Sequence, residues 1–507
     1  MIGYSIPRAS CGLSFGDAFS QALTWIQECI ESHTNCVSTR EAFLPTRVLD
    51  VGISEADTVK LYETRNEKAS YICLSHCWGN VSFLKTEKRT LEDHKRGIPW
   101  SSFTKTFQDA ITVARRLQIR WLWIDALCII QDDDLDWTKE SANMASIYED
   151  AYITISATGA KDGNGGLFSP EMDHELVRYS IEGNEWCVRA RAHLSWYWYG
   201  PVPGEFDGGG SFGFESSHWY SDILSAPDSF PILYRGWCFQ ERILSPRVLH
   251  FGHREMLWEC RTKPLCECGG LSYCPNLKMD LANSLIQGTE SEQRSQWHHI
   301  VEAYSRLSLT KSSDRLPAIS GLAKRMQMKT TDYLAGAWRQ HLLHDLLWQR
   351  LPGQPISERT AWIAPSWSWA AANTSVKFCG PETFAGRGRV PTVRWYTTIQ
   401  SAKTTLRGSD PTGQVVAGSL TVKGPVTMAG LSTGYRIEPY TNSTNKDYIP
   451  FWKHTIQVYC LLSREEERLA ASSSLPVHCL GIVMFEHIPD ASAYDHPERH
   501  LIIYYLV

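Results

Sequence analysis

The chain has 507 residues, of which 43% are hydrophobic and 21% are charged. This composition is ordinary for a globular protein with a large core, and the length exceeds that of a single typical domain. The formal net charge of −5 gives no electrostatic case for nucleic-acid binding, which usually needs a basic face. We find neither an apolar run of about 18 residues, as a membrane span requires, nor the pattern of a secretory signal.

The cysteine content predicts a reducing environment. There are 15 cysteines, an odd number scattered over a long chain, which favours free thiols in a cytoplasmic protein over a disulfide scaffold. Structural zinc sites usually contain closer pairs, such as C-x2-C, than the run C-x5-C-x-C-x5-C found here. We therefore interpret this run as a thiol-rich loop and expect no metal; its members are Cys260, Cys266, Cys268 and Cys274.

Strand-like and helical patterns alternate through the first third of the chain. They predict helices over 15–33, 104–118 and 136–149, and strands over 71–77, 121–125 and 152–156. The β-α-β-α-β order from residue 71 predicts an α/β fold with a doubly wound, largely parallel sheet. Such sheets bind ligands beyond the carboxyl ends of their strands.

The rest of the chain is more varied. Strand-like pieces lie within 234–260, helical spacing appears over 297–307 and 332–349, and short β-rich runs follow residue 375. We predict four parts: a helical and extended lead-in (1–70), an α/β domain (71–260), a helical extension packed on it (261–372) and a C-terminal β-rich unit (373–507).

Several blocks, in order, resemble those of the HET domain, the fungal heterokaryon-incompatibility domain. They are YICLSHCWG at 71–79, WLWIDALCIIQD at 121–132, RGWCFQER at 235–242, WEC at 258–260, SDRLPA at 313–318 and PSWSWA at 365–370. The departures are small: Gly236 stands where the family often has Ala, and Cys238 where Thr is common. Neither removes an ionisable group that we assign to a site.

The resemblance implies a fungal cytosolic effector of non-self recognition and programmed cell death. It implies the stand-alone class, because the chain lacks the nucleotide-switch domain or propeller repeats found in many relatives. The family has been compared with TIR domains, some of which hydrolyse NAD, so NAD is the expected substrate if the protein is an enzyme, with no certain cofactor. Its partner would be a protein of the incompatibility type. Two alternatives stay open: a small-molecule enzyme of fungal secondary metabolism, and a non-catalytic interaction module.

Glu140 is the residue that most suggests a site. At 100° per residue it falls within the apolar stripe that includes Met144 and Ile147. A buried carboxylate is costly unless it is paired or opens onto a cleft. Glu140 is therefore either an internal ion-pair partner, with Arg235 or Arg242, or a functional general base or oxocarbenium stabiliser with a raised pKa.

Other polar residues follow the predicted strands at 71–77 and 121–125. Ser75 and His76 should point to opposite faces, since successive strand residues alternate. His76 is either structural or an acid/base residue, and Asp125 either caps the following turn or binds a ligand. Cys77 and Cys128 are interpreted as packing residues. We therefore predict Glu140, Asp125 and His76 as catalytic residues and Ser75, Trp78, Arg235 and Arg242 as substrate-binding residues, the arginines because their planar groups bind carboxylates or phosphates.

Overall fold

The chain divides into two compact units, Met1–Gly288 and Thr289–Val507. The boundary between them coincides with none of the predicted domain boundaries, and the four-part division stays a prediction. The computed structural model describes residues 15–36, 41–168, 174–181, 184–190, 230–253, 256–267, 277–326, 332–351, 362–372, 374–378, 392–395, 397–424, 426–432, 436–439, 456–459, 475–487 and 500–506.

An eight-stranded mixed sheet forms the centre of the first unit, in the order β8-β7-β6-β5-β3-β4-β1-β2. The four central strands, β6, β5, β3 and β4, are mutually parallel, and the two strands at each edge pair antiparallel. The strands are β1 (Arg47–Asp50), β2 (Lys60–Glu63), β3 (Tyr71–Ser75), β4 (Trp121–Trp123), β5 (Ile153–Ser156), β6 (Arg247–Phe251), β7 (Met256–Cys260) and β8 (Pro264–Cys266).

Burial on both faces explains the apolar runs in the sequence. Every residue of β3, β5, β6 and β7 is buried, as expected for strands covered on both sides. The predicted α/β class is confirmed, but the sheet is mixed rather than largely parallel. The short connection between β6 and β7 is one reason, because a parallel pair needs a crossover of a dozen or more residues.

Seven helices are described in the first unit. Those predicted over 15–33, 104–118 and 136–149 are confirmed within two residues at each end. The strand-like pieces predicted within 234–260 are confirmed as β6 and β7, which follow a helix over Gly236–Leu244. The helices are α1 (Phe15–Ser32), α2 (Leu91–Arg96), α3 (Lys105–Arg116), α4 (Asp125–Cys128), α5 (Asp134–Asp150), α6 (Gly236–Leu244) and α7 (Leu277–Gln287).

Shorter elements are also described in the first unit. Among the described residues, three 3₁₀ helices lie at Thr34–Cys36, Trp100–Ser102 and Pro231–Tyr234. Two small antiparallel pairs join Ala42–Phe43 to Lys68–Ala69 and His174–Ile181 to Asn184–Ala190. Within the described residues of the whole chain, we find no helix with the length and apolar character needed to cross a membrane.

The chain order creates a crevice at the carboxyl end of β3. From β3 the chain passes through α3 to β4 on one side, then returns through α5 to β5 on the other. This reversal is the topological switch point at which doubly wound sheets bind ligands. The ends of β3, β4 and β5 bring Ser75, Asp125 and Ser156 to this edge.

The second unit combines three described helices with small antiparallel sheets. The predicted helix over 297–307 is confirmed, and so is the β-rich character beyond 375. The helix predicted from the residue spacing over 332–349 is wrong, because a hairpin, two single helical turns and a strand occupy this segment. The helices are α8 (Glu290–Ser305), α9 (Ser320–Met326) and α10 (Leu342–Asp345), with 3₁₀ helices at Ser312–Arg315, Pro317–Ile319, Arg339–His341 and Trp369–Ala372.

The strands that the structure describes in the second unit form three two-stranded pairs and one six-stranded sheet. The pairs are Tyr333–Leu334 with Ala337–Trp338, Trp348–Arg350 with Val376–Phe378, and Thr398–Leu406 with Val415–Lys423. The larger sheet contains Thr392–Trp395, Val426–Ser432, Arg436–Pro439, Ile456–Tyr459, Leu475–His487 and His500–Leu506.

Candidate functional site

The chain turns sharply where β3 ends. Ser75 is the last residue of the strand, and Gly79 has a φ of 64°, a left-handed conformation that favours glycine. A Cβ at Gly79 would also lie 2.3 Å from the Cβ of Asp162. The chain therefore turns at Gly79, and the turn holds residues 75–78 at the sheet edge.

Ser75 binds a buried glutamate on α6. Its hydroxyl donates a short hydrogen bond to Oε2 of Glu241, whose side chain is almost fully buried. Burial raises the pKa of Glu241 to about 7, and the negative charge of Asp125 adds to the rise. The Ser75 hydrogen bond and the charge of Arg235 act in the opposite direction. Glu241 can thus exchange a proton near neutral pH.

Asp125 connects several of the predicted residues. It begins α4 directly after β4, and its Oδ1 accepts a hydrogen bond from the Ala126 amide at 2.7 Å. Its Oδ2 accepts a hydrogen bond from the indole Nε1 of Trp78 at 3.0 Å. The Asp125 side chain keeps 20% of its surface exposed, so a carboxylate held by two N–H groups also faces solvent. The capping contact is present, and the ligand-binding role stays a prediction.

His76 lies on the other side of this carboxylate. Its Nδ1 is 3.8 Å from Oδ1 of Asp125, and its ring packs edge-on against Phe107 of α3 with centroids 5.1 Å apart. Burial lowers the pKa of His76, although Asp125 opposes the shift. His76 faces α3 whereas Ser75 binds α6, so the predicted divergence is confirmed. A buried, neutral imidazole in an aromatic cage fits a positioning role for Asp125.

Arg235 supplies positive charge at the same edge. It hydrogen-bonds the Cys77 thiol, and its charge lowers the pKa of Glu241. Burial nevertheless raises the pKa of Cys77, and it raises that of Cys128 to about 12. Both cysteines are therefore thiols at neutral pH and not activated nucleophiles, in agreement with the packing role inferred from sequence.

Glu140 is buried, as the helical stripe predicts. It is 1% exposed on α5, and its Oε1 accepts no hydrogen bond. The nearest cation is the Lys139 ammonium, 3.7 Å from Oε1, rather than Arg235 or Arg242. The charge of Glu140 contributes to the raised pKa of Cys128, which places it near α4. Its predicted catalytic role stays a prediction.

Arg242 belongs to a separate buried cluster. Its Nε and Nη2 donate to the two oxygens of Glu259 at 2.7 and 3.1 Å. Nε2 of His250 lies 3.4 Å from Glu259 and Nζ of Lys278 lies 4.0 Å away. Because the Arg242 guanidinium binds Glu259 through its Nε and Nη2 nitrogens, it is not the partner of Glu140. Thr158 extends the network through a 2.9 Å contact with Nδ1 of His250.

These electrostatic partners shift the pKa values of the cluster strongly. Despite full burial, the positive charges of Arg242 and Lys278 hold the pKa of Glu259 far below its ordinary value. Burial lowers the pKa of His250 to about 4 and that of Lys278 to about 8. At neutral pH the cluster thus contains an ionised Glu259, a neutral His250 and two cations. It joins β6, β7, α6 and α7, which favours a structural role.

A narrow cleft lies next to Ser75 and is also lined by Arg242 and His250 of the buried Glu259 cluster. It offers about 10 Å³ of solvent space, close to what one water molecule needs. Its lining includes Ser75, Cys238, Arg242 and His250. The cleft is too small for a nucleotide, but a water there would lie next to the hydroxyl that donates to Glu241.

Glu241 lies in the sequence block RGWCFQER at 235–242, but the sequence did not assign it to the site. The available signal was an acid within the apolar sequence GWCFQERIL of α6, the same signal that singled out Glu140. For metals, the described residues contain a single group with suitable ligand spacing, namely Cys29, His33, Cys36 and Cys260. Of the predicted thiol-rich loop, Cys268 and Cys274 lie outside the described residues.

Comparison with protein families gives one match. Residues 71–241 match the family described as heterokaryon incompatibility protein (HET). The matched segment begins with β3 and ends at Glu241, so it includes Ser75, Asp125 and Glu140. The family resemblance of the sequence blocks is confirmed over this segment. No curated protein and no solved structure matches the chain.

Proposed function

We propose that this chain, whose residues 71–241 match the heterokaryon-incompatibility (HET) family, is an intracellular effector of fungal non-self recognition and cell death that hydrolyses NAD. The observation that carries the proposal is the pair of acids at the switch point of the sheet. Glu241 is buried with a pKa of about 7, and Asp125 is partly exposed and held by N–H donors. Enzymes that cleave glycosidic bonds usually use two carboxyl groups whose environments differ in this way.

The chemistry suits the two acids in different roles. In NAD the bond between the ribose C1′ and the pyridinium nitrogen breaks, and its electron pair neutralises the nitrogen, so nicotinamide leaves without a proton. C1′ acquires positive charge, which the Asp125 carboxylate stabilises. Water then forms the new C1′–O bond and loses a proton to ionised Glu241. The products are ADP-ribose, nicotinamide and the proton.

Ser75 provides a route for that proton. Its hydroxyl already donates to Glu241 and lines the cleft, which has about the space of one water molecule. The water can pass a proton to Oγ of Ser75 while the hydroxyl proton moves to Glu241. We assign Ser75 as a proton relay, Trp78 as an aromatic wall that also orients Asp125, and Arg235 as the cation that limits the pKa of Glu241.

The proposal distinguishes Glu241 from Glu140, which sequence alone favoured as the catalytic acid. Glu140 lies on α5, and its Oε1 has no hydrogen-bond donor. The negative charge of Asp125 contributes to the raised pKa of Glu241. We therefore place the reaction at Asp125 and Glu241.

The test is NAD hydrolysis by the purified full chain, measured as released nicotinamide, for the wild type and for Glu241→Gln, Asp125→Asn and Glu140→Gln. We expect Glu241→Gln and Asp125→Asn each to lose about 10²-fold or more in rate, in the range of acid–base and electrostatic contributions. Glu92→Gln is the matched control, since the Glu92 side chain is 76% exposed on α2. Loss of activity in Glu140→Gln alone would move the site to α5.

Expression in a fungal host tests the biological role separately. Depletion of cellular NAD by the wild type, and its absence with Glu241→Gln at matched soluble protein, supports the enzymatic effector. Toxicity with intact NAD would instead identify an interaction-driven effector. Intact NAD with folded, purified wild-type protein and no toxicity would overturn the proposal and favour a small-molecule enzyme that acts on another substrate.

A further inference from the structure

Four potential metal ligands converge within the first unit. They are the thiols of Cys29, Cys36 and Cys260 and the imidazole of His33. One ligand atom from each residue lies within 4.8 Å of all the others. The three cysteines are fully buried and none forms a disulfide. All four residues lie outside the segment that matches the HET family.

We propose that Cys29, His33, Cys36 and Cys260 form a structural zinc site that fastens α1 to the end of β7. Three thiolates and one imidazole are a common ligand set for structural zinc, with four protein ligands and no open position. The inference is independent of NAD hydrolysis, because it rests on none of Ser75, Asp125 and Glu241.

The local geometry suits a tetrahedral ion. With Zn–S bonds of about 2.3 Å and Zn–N bonds of about 2.0 Å, neighbouring ligand atoms in a tetrahedron lie about 3.5 to 3.8 Å apart. Sγ of Cys260 is 3.4 Å from Nδ1 of His33, and all the other ligand pairs lie within 4.8 Å. Small side-chain rotations close the remaining gaps. The atoms thus already surround a position that one zinc ion can fill.

The backbone explains how a short segment supplies three ligands. Cys29 and His33 are four residues apart, so their side chains project from one face of the helical path, and the His33 amide donates to the Cys29 carbonyl at 3.2 Å. The 3₁₀ turn Thr34–Cys36 then brings Cys36 back, with its amide 3.0 Å from the His33 carbonyl. The spacing C-x3-H-x2-C is therefore a consequence of a helix end followed by a single tight turn.

The fourth ligand is prepared for a negative charge. The Thr262 and Lys263 amides donate to Sγ of Cys260 at 3.5 and 3.4 Å. Such N–H groups outside the ligand set stabilise a thiolate and fix its orientation. The backbone of a second ligand is also held, because Nη2 of Arg247 donates to the Cys36 carbonyl at 2.8 Å. The Cys260 thiol also donates to the Lys263 carbonyl at 3.4 Å, and this bond is lost when the thiolate binds an ion.

Zinc would connect parts of the chain that are far apart in sequence. His33 and Cys260 are separated by 227 residues, and their bond to one ion would tie the helix α1 to the last residue of β7. The binding energy of a structural ion contributes directly to folding when the unfolded chain has no preformed site. We therefore expect metal removal to lower the melting temperature of the protein.

The experiment measures metal content and coordination in the purified full chain kept reduced and free of chelators during preparation. We expect about one zinc per chain in the wild type and a loss of most of it in Cys260→Ser and in His33→Ala. Cys266→Ser is the matched control, since Cys266 is a buried cysteine of the neighbouring strand β8 outside the ligand group, and it should keep its zinc.

Cobalt titration of metal-free wild-type protein keeps the test valid if the variants fail to fold. A tetrahedral site with three thiolates gives intense d–d bands and a sulfur-to-cobalt charge-transfer band that saturate at one ion per chain, and zinc then displaces the cobalt. Absence of zinc together with absence of these bands would overturn the proposal. A disulfide between any two of Cys29, Cys36 and Cys260, mapped by mass spectrometry in protein prepared under reducing conditions, would also overturn it.

Discussion

The raised pKa of Glu241 predicts that the site destabilises the fold at neutral and alkaline pH. The folded state shifts this pKa from 4.5 to about 7, so folded protein binds a proton that the unfolded chain releases between those values. Stability from this group is present below about pH 4.5 and is lost as the pH rises through the folded pKa. The shift corresponds to about 3 kcal/mol at pH 8. Glu241 is fully buried, so solvent screening does not reduce this figure substantially.

Glu241→Gln removes the titration while it preserves the size of the side chain. We expect the variant to gain about 2 to 3 kcal/mol of stability relative to the wild type between about pH 5 and pH 8. The difference between the two pH values is the decisive quantity, because any fixed cost of exchanging an acid for an amide beside Ser75 cancels. The same variant loses NAD hydrolysis, so stability and activity change in opposite directions.

The assay is thermal unfolding of both proteins across this pH range, followed by tryptophan fluorescence. The melting temperature of the transition that contains the first unit should rise by roughly 5 °C or more in the variant at pH 8 relative to pH 5. Glu92→Gln, on the exposed face of α2, should show no comparable pH dependence. An equal stability difference between Glu241→Gln and wild type at every pH would refute the raised pKa and the acid–base role built on it.

Three further predictions concern the charges in the first unit. The rate of NAD hydrolysis should rise with pH through a midpoint of about 7, because Glu241 must be ionised. Asp125→Asn removes a negative neighbour of Glu241, so the midpoint of the residual activity should move to lower pH. An unmoved midpoint would contradict the electrostatic effect of Asp125 on Glu241. Glu259→Gln should lower the free energy of unfolding in urea by about 3 to 5 kcal/mol, because Arg242 and Lys278 would stay buried without their anion. Arg96→Gln, in the exposed pair with Asp93, should change this free energy by no more than about 0.5 kcal/mol. His250, whose pKa falls to about 4, stays neutral in the fold, so stability should decline as the pH drops from about 6.5 toward 4, and His250→Gln should flatten this part of the stability profile; an unchanged profile would count against the shift.

The alternation of helices and strands over 71–156 was visible in the sequence because each element carries its own periodicity. Burial on both faces produces the apolar run of β3, and burial on one face produces the apolar stripe of α5, so both could be identified without knowing their partners. The same logic identified Glu140 as buried and placed Asp125 at the end of β4. The helix predicted over 332–349 was wrong because apolar residues at helical spacing lie there in a hairpin and in separate turns.

The α/β class, the order of elements over 71–156, the HET resemblance and the sheet edge at which polar groups gather could therefore be predicted from the sequence. The tertiary contacts of the side chains could not: Glu241 meets Ser75 across 166 residues, Arg242 meets Glu259 instead of Glu140, and Cys260 lies beside Cys29, His33 and Cys36. Periodicity is a local property that each segment carries alone. The pKa of a buried acid, or the assembly of a metal site, depends on burial and on neighbours that the fold brings from distant parts of the chain.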